Sequence, residues 1–328
     1  MQQVTSAAAT GRVHWSSRWA FFLVTIGSAI GLGNIWKFPY MTGTNGGSAF
    51  VLVYLACILV IGLPLLMAEL MLGRRGQSNP VVTMRKLAEE AGVTRWWKLV
   101  GVMGVACSLL ILSFYSVVAG WILDCTALAV QGFDGISAEA AANNFSKLLA
   151  NPIALAGWHT VFMVMTATVV SRGVTSGIES ASKLLMPGLF LLLLVLVGYG
   201  AVSADMPAAL RFMFHFNMRD VTAAVVLSAM GHAFFTLSLG MGAIMAYGSY
   251  LPRGSSIVGT CIQIALADTV VALLAGLAIF SVVFANGLAP AAGPGLLLQT
   301  LPIAFGAMPM GHLMGALFFV LVVFAAWT

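Results

Sequence analysis

Long apolar runs separated by short polar connections fill this chain almost from end to end. They can be traced at about residues 15–40, 46–72, 98–130, 153–170, 177–203, 221–250, 256–284 and 312–328. All but the last reach or approach the roughly 20 residues that carry an α-helix across a hydrocarbon layer. The pattern predicts an all-α polytopic membrane protein, a single transmembrane domain over residues 1–328 with eight spans, the eighth incomplete. Two runs are interrupted from within. Gly27-Ser28-Ala29-Ile30-Gly31-Leu32-Gly33-Asn34 interrupts the first, and Ser238-Leu239-Gly240-Met241-Gly242 interrupts the sixth. Glycine weakens a helix, and lipid offers no partner to the carbonyls and amides that a break releases. Broken spans in comparable positions point to a binding site built from discontinuous helices.

Composition strengthens this picture. The chain is 60% hydrophobic and 8% charged, with a mean hydropathy of +1.00, which excludes an ordinary soluble domain. A net charge of +5 would suggest nucleic acid in a soluble protein, but here the basic residues sort by connection, and no nucleic-acid partner is expected. Eleven of them precede the first span or follow the second, fourth and sixth. Only Lys147, Arg211 and Arg219 fall on the opposite side, so the N-terminus is expected in the cytoplasm. The first residues hold no signal-like apolar core, so the first span is expected to be retained. Cys57, Cys107, Cys125 and Cys261 have no metal-like or paired spacing and read as packing residues. No Ser-His-Asp set, metal-binding histidine cluster or phosphate loop suggests an enzyme. Nothing in the chain signals an oligomeric state.

The connections differ in kind. Residues 73–98 predict a short amphipathic helix with Val81, Leu87 and Ala91 facing away from Arg85, Lys86, Glu89 and Glu90. Residues 131–152 and 203–220 are long enough to fold over a vestibule, and the Gly- and Pro-rich stretch 285–311 reads as a loop capping it. Each break has polar neighbours, Asn34 in one and Thr236 with Ser238 in the other, which suggests an internal repeat. Five spans in the first unit would invert the second. Only spans six, seven and part of eight follow, and the run FFVLVVFAAWT ends at Thr328 without a polar flank, so the chain reads as truncated.

Several segments resemble the neurotransmitter:sodium symporter family, and its bacterial amino-acid transporters in particular. WSSRWAFFLVTIGSAIGLGNIWKFPY, NGGSAFVLVY and GLPLLMAELMLGRRGQ resemble its first two helices. SFYSVVAGW is similar to its third, SGIESASKLLMP to the start of its fifth and GHAFFTLSLGMGAIMAYGSY to its sixth. The resemblance implies an inverted-repeat fold of five plus five helices with the second repeat incomplete here, in a bacterial inner membrane. It implies sodium-coupled symport of an amino acid by alternating access. A truncated or nontransporting member, binding sodium and amino acid without concentrative uptake, is the alternative.

Family positions then suggest roles. The backbone of Ala29, the side chain of Asn34, Thr236 and Asp268 match a first sodium site. The carbonyls of Gly27 and Ile30, with Ala325 and Thr328, match a second, so two ions are expected in a complete protein. Oxygen ligands suit such a cation. An aspartate at position 268, where chloride-requiring members have asparagine, implies that chloride is dispensable. A carboxylate in a membrane helix is costly unless a cation accompanies it. Close helix packing explains one glycine motif, but not both breaks together with Asn34 and Asp268.

Amides at Leu32 and Gly33, at a new helix N-terminus, suit a substrate carboxylate, with Tyr115 as a further donor. Carbonyls near Phe235, Thr236 and Ser238 would meet the ammonium. Ile111, Tyr115, Phe235, Ser238 and Met241 would line an uncharged subsite for a neutral hydrophobic or aromatic side chain, Met241 being the adaptable wall. Lys37 resembles an outer gate cation above Phe235, and Arg12 with Trp15 the inner gate. Glu69 is expected to support the unwound backbone of helix six. His232 reads as a hydrogen-bonded structural histidine before a titrating one. Gly177 and Pro187 frame helix five at a spacing that accompanies unwinding of its inner half in some relatives. A static proline kink is the other reading.

Overall fold

The computed structural model describes residues 18–251, 256–291 and 295–327. They form helices and connections, with no strand among the described residues. Helix α1 is Arg18–Ala29, and α2 covers residues 33–44. They are followed by α3 Ser48–Gly76, α4 Pro80–Glu90, α5 Arg95–Gln131, α6 Ala138–Leu149, α7 Pro152–Ser171 and α8 Ser176–Ser203. The remainder are α9 Met206–Phe214, α10 Ala223–Thr236, α11 Ala243–Gly248, α12 Ile257–Ala285, α13 Leu296–Ala307 and α14 Gly311–Trp327. Five of the described helices, α3, α5, α7, α8 and α12, are long and apolar enough to cross a membrane unbroken.

Prolines shape several of them in one way. Pro39, Pro64 and Pro302 each follow a widened π-turn, at Gly33–Lys37, Ile58–Gly62 and Leu296–Thr300. A helical proline clashes with the carbonyl four residues earlier and cannot donate to it. Those carbonyls belong to Ile35, Val60 and Leu298, the middle residue of each widened turn. The residue before each proline donates five residues back instead: Phe38 to Gly33, Leu63 to Ile58 and Leu301 to Leu296. The extra residue is thus the backbone's local answer to the ring.

Helix α3 forms a common bed for both halves of the broken sixth span. Its first half packs on α10 and its second on α11. Approach is close there because the contact residues are small: a methyl group on Gly73 would overlap the Met245 carbonyl, and one on Gly248 would lie 2.8 Å from that of Leu70. Helix α12 runs behind α2 and packs on α8 and α9, and its buried face includes Asp268. Helix α7 lies at the edge, with Phe162 its one buried side chain among those described.

Two connections and one cysteine depart from the sequence reading. The stretch 285–311 is not wholly loop, since Leu296–Ala307 is helical, its apolar residues packing against α12 and α14. Helix α4 forms, but buries Pro80, Thr83 and Ala88 in place of Val81, Leu87 and Ala91. The cause is close packing against glycines: Gly101 approaches the backbone of Pro80 and Val81, and Gly76 faces the Thr83 side chain. Apolar periodicity misread a face chosen by size. Finally, Cys57, Cys125 and Cys261 are buried free thiols as packing predicts, whereas Cys107 is exposed on α5.

Candidate functional site

Helix α1 ends at Ala29, and the first break occupies only Ile30 and Gly31, narrower than the run 27–34 read from the sequence. Gly27 lies in the last turn of α1, where carbonyls lack donors from their own helix. Leu32 already has helical dihedrals. The break is short because Asn34 closes it locally. Its Oδ1 accepts the Gly31 N–H at 3.1 Å while its own N–H donates to the Gly31 carbonyl at 3.1 Å, in the manner of a capping box.

The other end of the Asn34 side chain reaches α12. Its amide donates to Asp268 Oδ1 at 2.8 Å and to the Asp268 carbonyl at 3.0 Å. Thr236 Oγ1 donates to the same Oδ1 at 2.8 Å, and the Tyr54 hydroxyl donates to Oδ2 at 3.2 Å. Asp268, Asn34 and Tyr54 are 0% exposed and Thr236 is 2%. One buried carboxylate therefore ties together α2, α3, α10 and α12. Hydrogen bonds to a charged group contribute about 1.5–3 kcal/mol each. The sequence reading brought Asp268, Asn34 and Thr236 together but missed Tyr54, which looks locally like any tyrosine of an apolar helix. The available signal was indirect: a buried carboxylate needs donors.

The second break spans Leu237 to Gly242 and is built differently. Ser238, Gly240 and Gly242 have φ of 55°, 78° and 75°, so the chain enters the left-handed region three times in five residues. That is cheap for the glycines and costly for Ser238. Its first half is closed by α10, the Ser238 and Leu239 N–H donating to the Phe235 and Phe234 carbonyls; its second half is held from outside, where Glu69 Oε1 accepts the Gly240 N–H at 2.6 Å and Ser108 Oγ donates to the Met241 carbonyl at 2.8 Å. The two breaks adjoin, since a methyl group on Gly33 would meet the Phe235 ring at 3.4 Å and Thr236 Cα at 3.6 Å.

Between them lies a cavity of about 290 Å³. Ala29, Leu32, Gly33, Ile111, Tyr115, Phe235, Thr236, Ser238 and Met241, the nine residues expected to bind substrate, all line it, as does Gly27. The sequence reading missed Ser108, Phe162, Thr166 and Trp327 on its wall, the last three lying far along the chain from any break. No charged side chain lines it among the described residues. The Tyr115 hydroxyl accepts the Leu32 N–H and donates to the Ala325 carbonyl, both at 3.5 Å, the outer limit for such bonds. Loosely held groups of this kind are available to a ligand.

Lys37 Nζ stands 3.8 Å from the centre of the Phe235 ring, a cation–π contact over a residue of the cavity wall. His232 is buried, but neither ring nitrogen has a hydrogen-bond partner among the described residues. It packs instead against Phe38, Phe50 and Tyr54, with ring centres 5.3–5.9 Å away, which corrects the expected hydrogen-bonded histidine. Gly177 falls in another π-turn, Val174–Glu179, where a methyl group would overlap the Val169 carbonyl. Pro187 lies inside a helix that continues past it. Ala325 is buried on α14, while Arg12, Trp15 and Thr328 lie outside the described residues.

A single carboxylate beside two hydroxyls, with a side-chain amide whose oxygen lies one rotation away, offers oxygen ligands of the kind a hard cation takes. Beside it lies an apolar cavity bounded by two helix breaks. Together these features define a membrane transporter that couples an ion to a small solute. The chain belongs to the sodium:neurotransmitter symporter family, which it matches over residues 12–132 and 145–328. This is a family of sodium-coupled transporters, not of enzymes. The chain is 41% identical over 317 residues to an uncharacterized sodium-dependent transporter of Bacillus subtilis, YhdH, covering 96% of this chain and 69% of that protein. It is 27% identical to a mouse sodium-dependent neutral amino acid transporter, B(0)AT3, covering 83% of this chain and 48% of that one. Its fold superposes on the crystal structure of MhsT in complex with L-phenylalanine with a TM-score of 0.88 and 44% identity, covering 97% of this chain and 71% of that one.

Proposed function

We propose that this chain carries the site of a sodium-coupled symporter for a neutral, hydrophobic or aromatic amino acid, in a bacterial inner membrane with its N-terminus in the cytoplasm. The observation that carries this reading is the uncharged cavity of about 290 Å³ walled by both helix breaks. An acidic or basic side chain would find no counter-charge there. The solved relative in complex with L-phenylalanine supports the same class of solute.

In this reading the substrate carboxylate sits at the amides of Leu32 and Gly33 and takes over the Tyr115 hydroxyl. Its ammonium meets the carbonyls around Phe235, Thr236 and Ser238. Ile111, Phe235 and Met241 enclose its side chain. Asp268, Asn34, Thr236 and the Ala29 carbonyl hold one sodium ion, and binding turns Asn34 Oδ1 away from Gly31. Gly27, Ile30, Ala325 and Thr328 belong to a second. Lys37 latches Phe235 over the occupied cavity. Asp268 supplies the negative charge that makes chloride dispensable.

Equilibrium binding of radiolabelled L-phenylalanine, L-leucine, L-alanine, L-glutamate and L-lysine, with sodium or with potassium, tests this directly. The first three are expected to bind in sodium only, and the charged pair not at all. Absence of sodium-dependent binding across the neutral set overturns the assignment. Proteoliposome uptake then separates transport from binding alone, and replacement of chloride by gluconate should leave it unchanged.

A further inference from the structure

Two successive turns of α5 grip the second break. Ser108 Oγ donates to the Met241 carbonyl at 2.8 Å. Four residues earlier, on the same face, Gly104 lets the break come close: a methyl group there would lie 3.2 Å from the Gly242 nitrogen and the Met241 carbonyl carbon, and 3.4 Å from the Gly240 carbonyl oxygen. Met241 has no helix around it to fix its backbone, because it lies between two left-handed glycines. Its carbonyl is therefore oriented by a bond from outside the segment, and its side chain forms part of the cavity wall. Ser108 lines the same cavity, one turn from Ile111.

From this geometry we infer that Ser108 is a specificity-determining positioning residue: by holding the Met241 carbonyl against α5, it fixes the depth of the apolar end of the cavity and so the size of side chain accepted. The inference rests on the proposed amino-acid site and adds to it a determinant that does not belong to the carboxylate, ammonium or ion contacts. A large side chain needs a wall at a fixed place, whereas a small one does not reach it. Loss of the bond should therefore penalise large substrates selectively.

The test measures sodium-dependent affinities for L-phenylalanine and L-alanine in the unsubstituted chain, S108A and S108T, with thermal unfolding followed in parallel. S108A is expected to lower the phenylalanine-to-alanine affinity ratio by about three- to tenfold, the change carried by one neutral hydrogen bond. S108T, which keeps the hydroxyl, should restore it, and the sodium dependence of alanine binding should not move. If S108A does not fold, S108C provides the same comparison with a weak donor. An unchanged ratio in a variant that binds both amino acids in sodium overturns the inference alone. An unsubstituted chain that binds neither overturns the site reading and this inference with it.

Discussion

The two helix breaks present opposite solutions to one problem. The first is two residues long, has no left-handed residue, and is closed by Asn34 of the helix it starts. The second is six residues long, passes three times through the left-handed region, and is held by Glu69 and Ser108 from helices far away in the chain. The first break thus carries its cap in the helix it starts, the second leans on side chains of two distant helices, and Asp268 joins the two.

Removing that junction should have the largest effect. Asp268→Ala takes the carboxylate acceptor from the buried hydroxyls of Thr236 and Tyr54 and leaves the Asn34 amide only the backbone carbonyl of residue 268. At about 1–3 kcal/mol for each unsatisfied group, a loss on the order of 3 kcal/mol or more is expected, read as a lower unfolding temperature and no sodium-dependent binding. Next, Glu69→Ala should cost about 1.5–3 kcal/mol by leaving the Gly240 amide unpaired. Glu69→Gln keeps an acceptor and should recover most of that stability. If both variants unfold like the parent, the second break does not depend on its brace and the contrast drawn above is lost. Tyr54→Phe removes one donor from Asp268, so about 1 kcal/mol of stability and a few-fold weaker sodium affinity are expected in a sodium titration of phenylalanine binding. The smallest effect concerns α8. Pro187→Ala restores a backbone donor in a helix that already runs through the site, so unfolding should barely change. A slowed release of sodium, measured by stopped-flow exchange, would favour the unwinding role of the Gly177–Pro187 segment over a static kink.

Legibility followed the range of the forces. The all-helical, apolar character could be read because lipid sets the length and composition of its helices, and the first break because its glycines and its cap are neighbours. The expected substrate residues all line one cavity because three segments, the two breaks and the Ile111–Tyr115 turn of α5, are brought together by the fold. What stayed hidden depends on distant partners. Tyr54 and Ser108 are identifiable only through Asp268 and Met241, which lie 214 and 133 residues away. The buried face of α4 follows the glycines it packs on, not its own apolar residues. His232 packs among aromatic rings contributed by α2 and α3, where polarity alone suggested a hydrogen bond.

The widened turn in α3 carries a consequence in the currency of chain length. Tyr54, which faces Asp268, and Glu69, which faces Gly240, lie on either side of Ile58–Gly62. The two ends of the ion and solute site are phased against one another by a single surplus residue. Deleting one codon within that turn would leave the span apolar and long enough for the bilayer, yet rotate Glu69 by about 100° relative to Tyr54. By this measure the site is sensitive to an insertion or deletion that hydropathy would not register, and each proline that follows such a turn marks where the count matters.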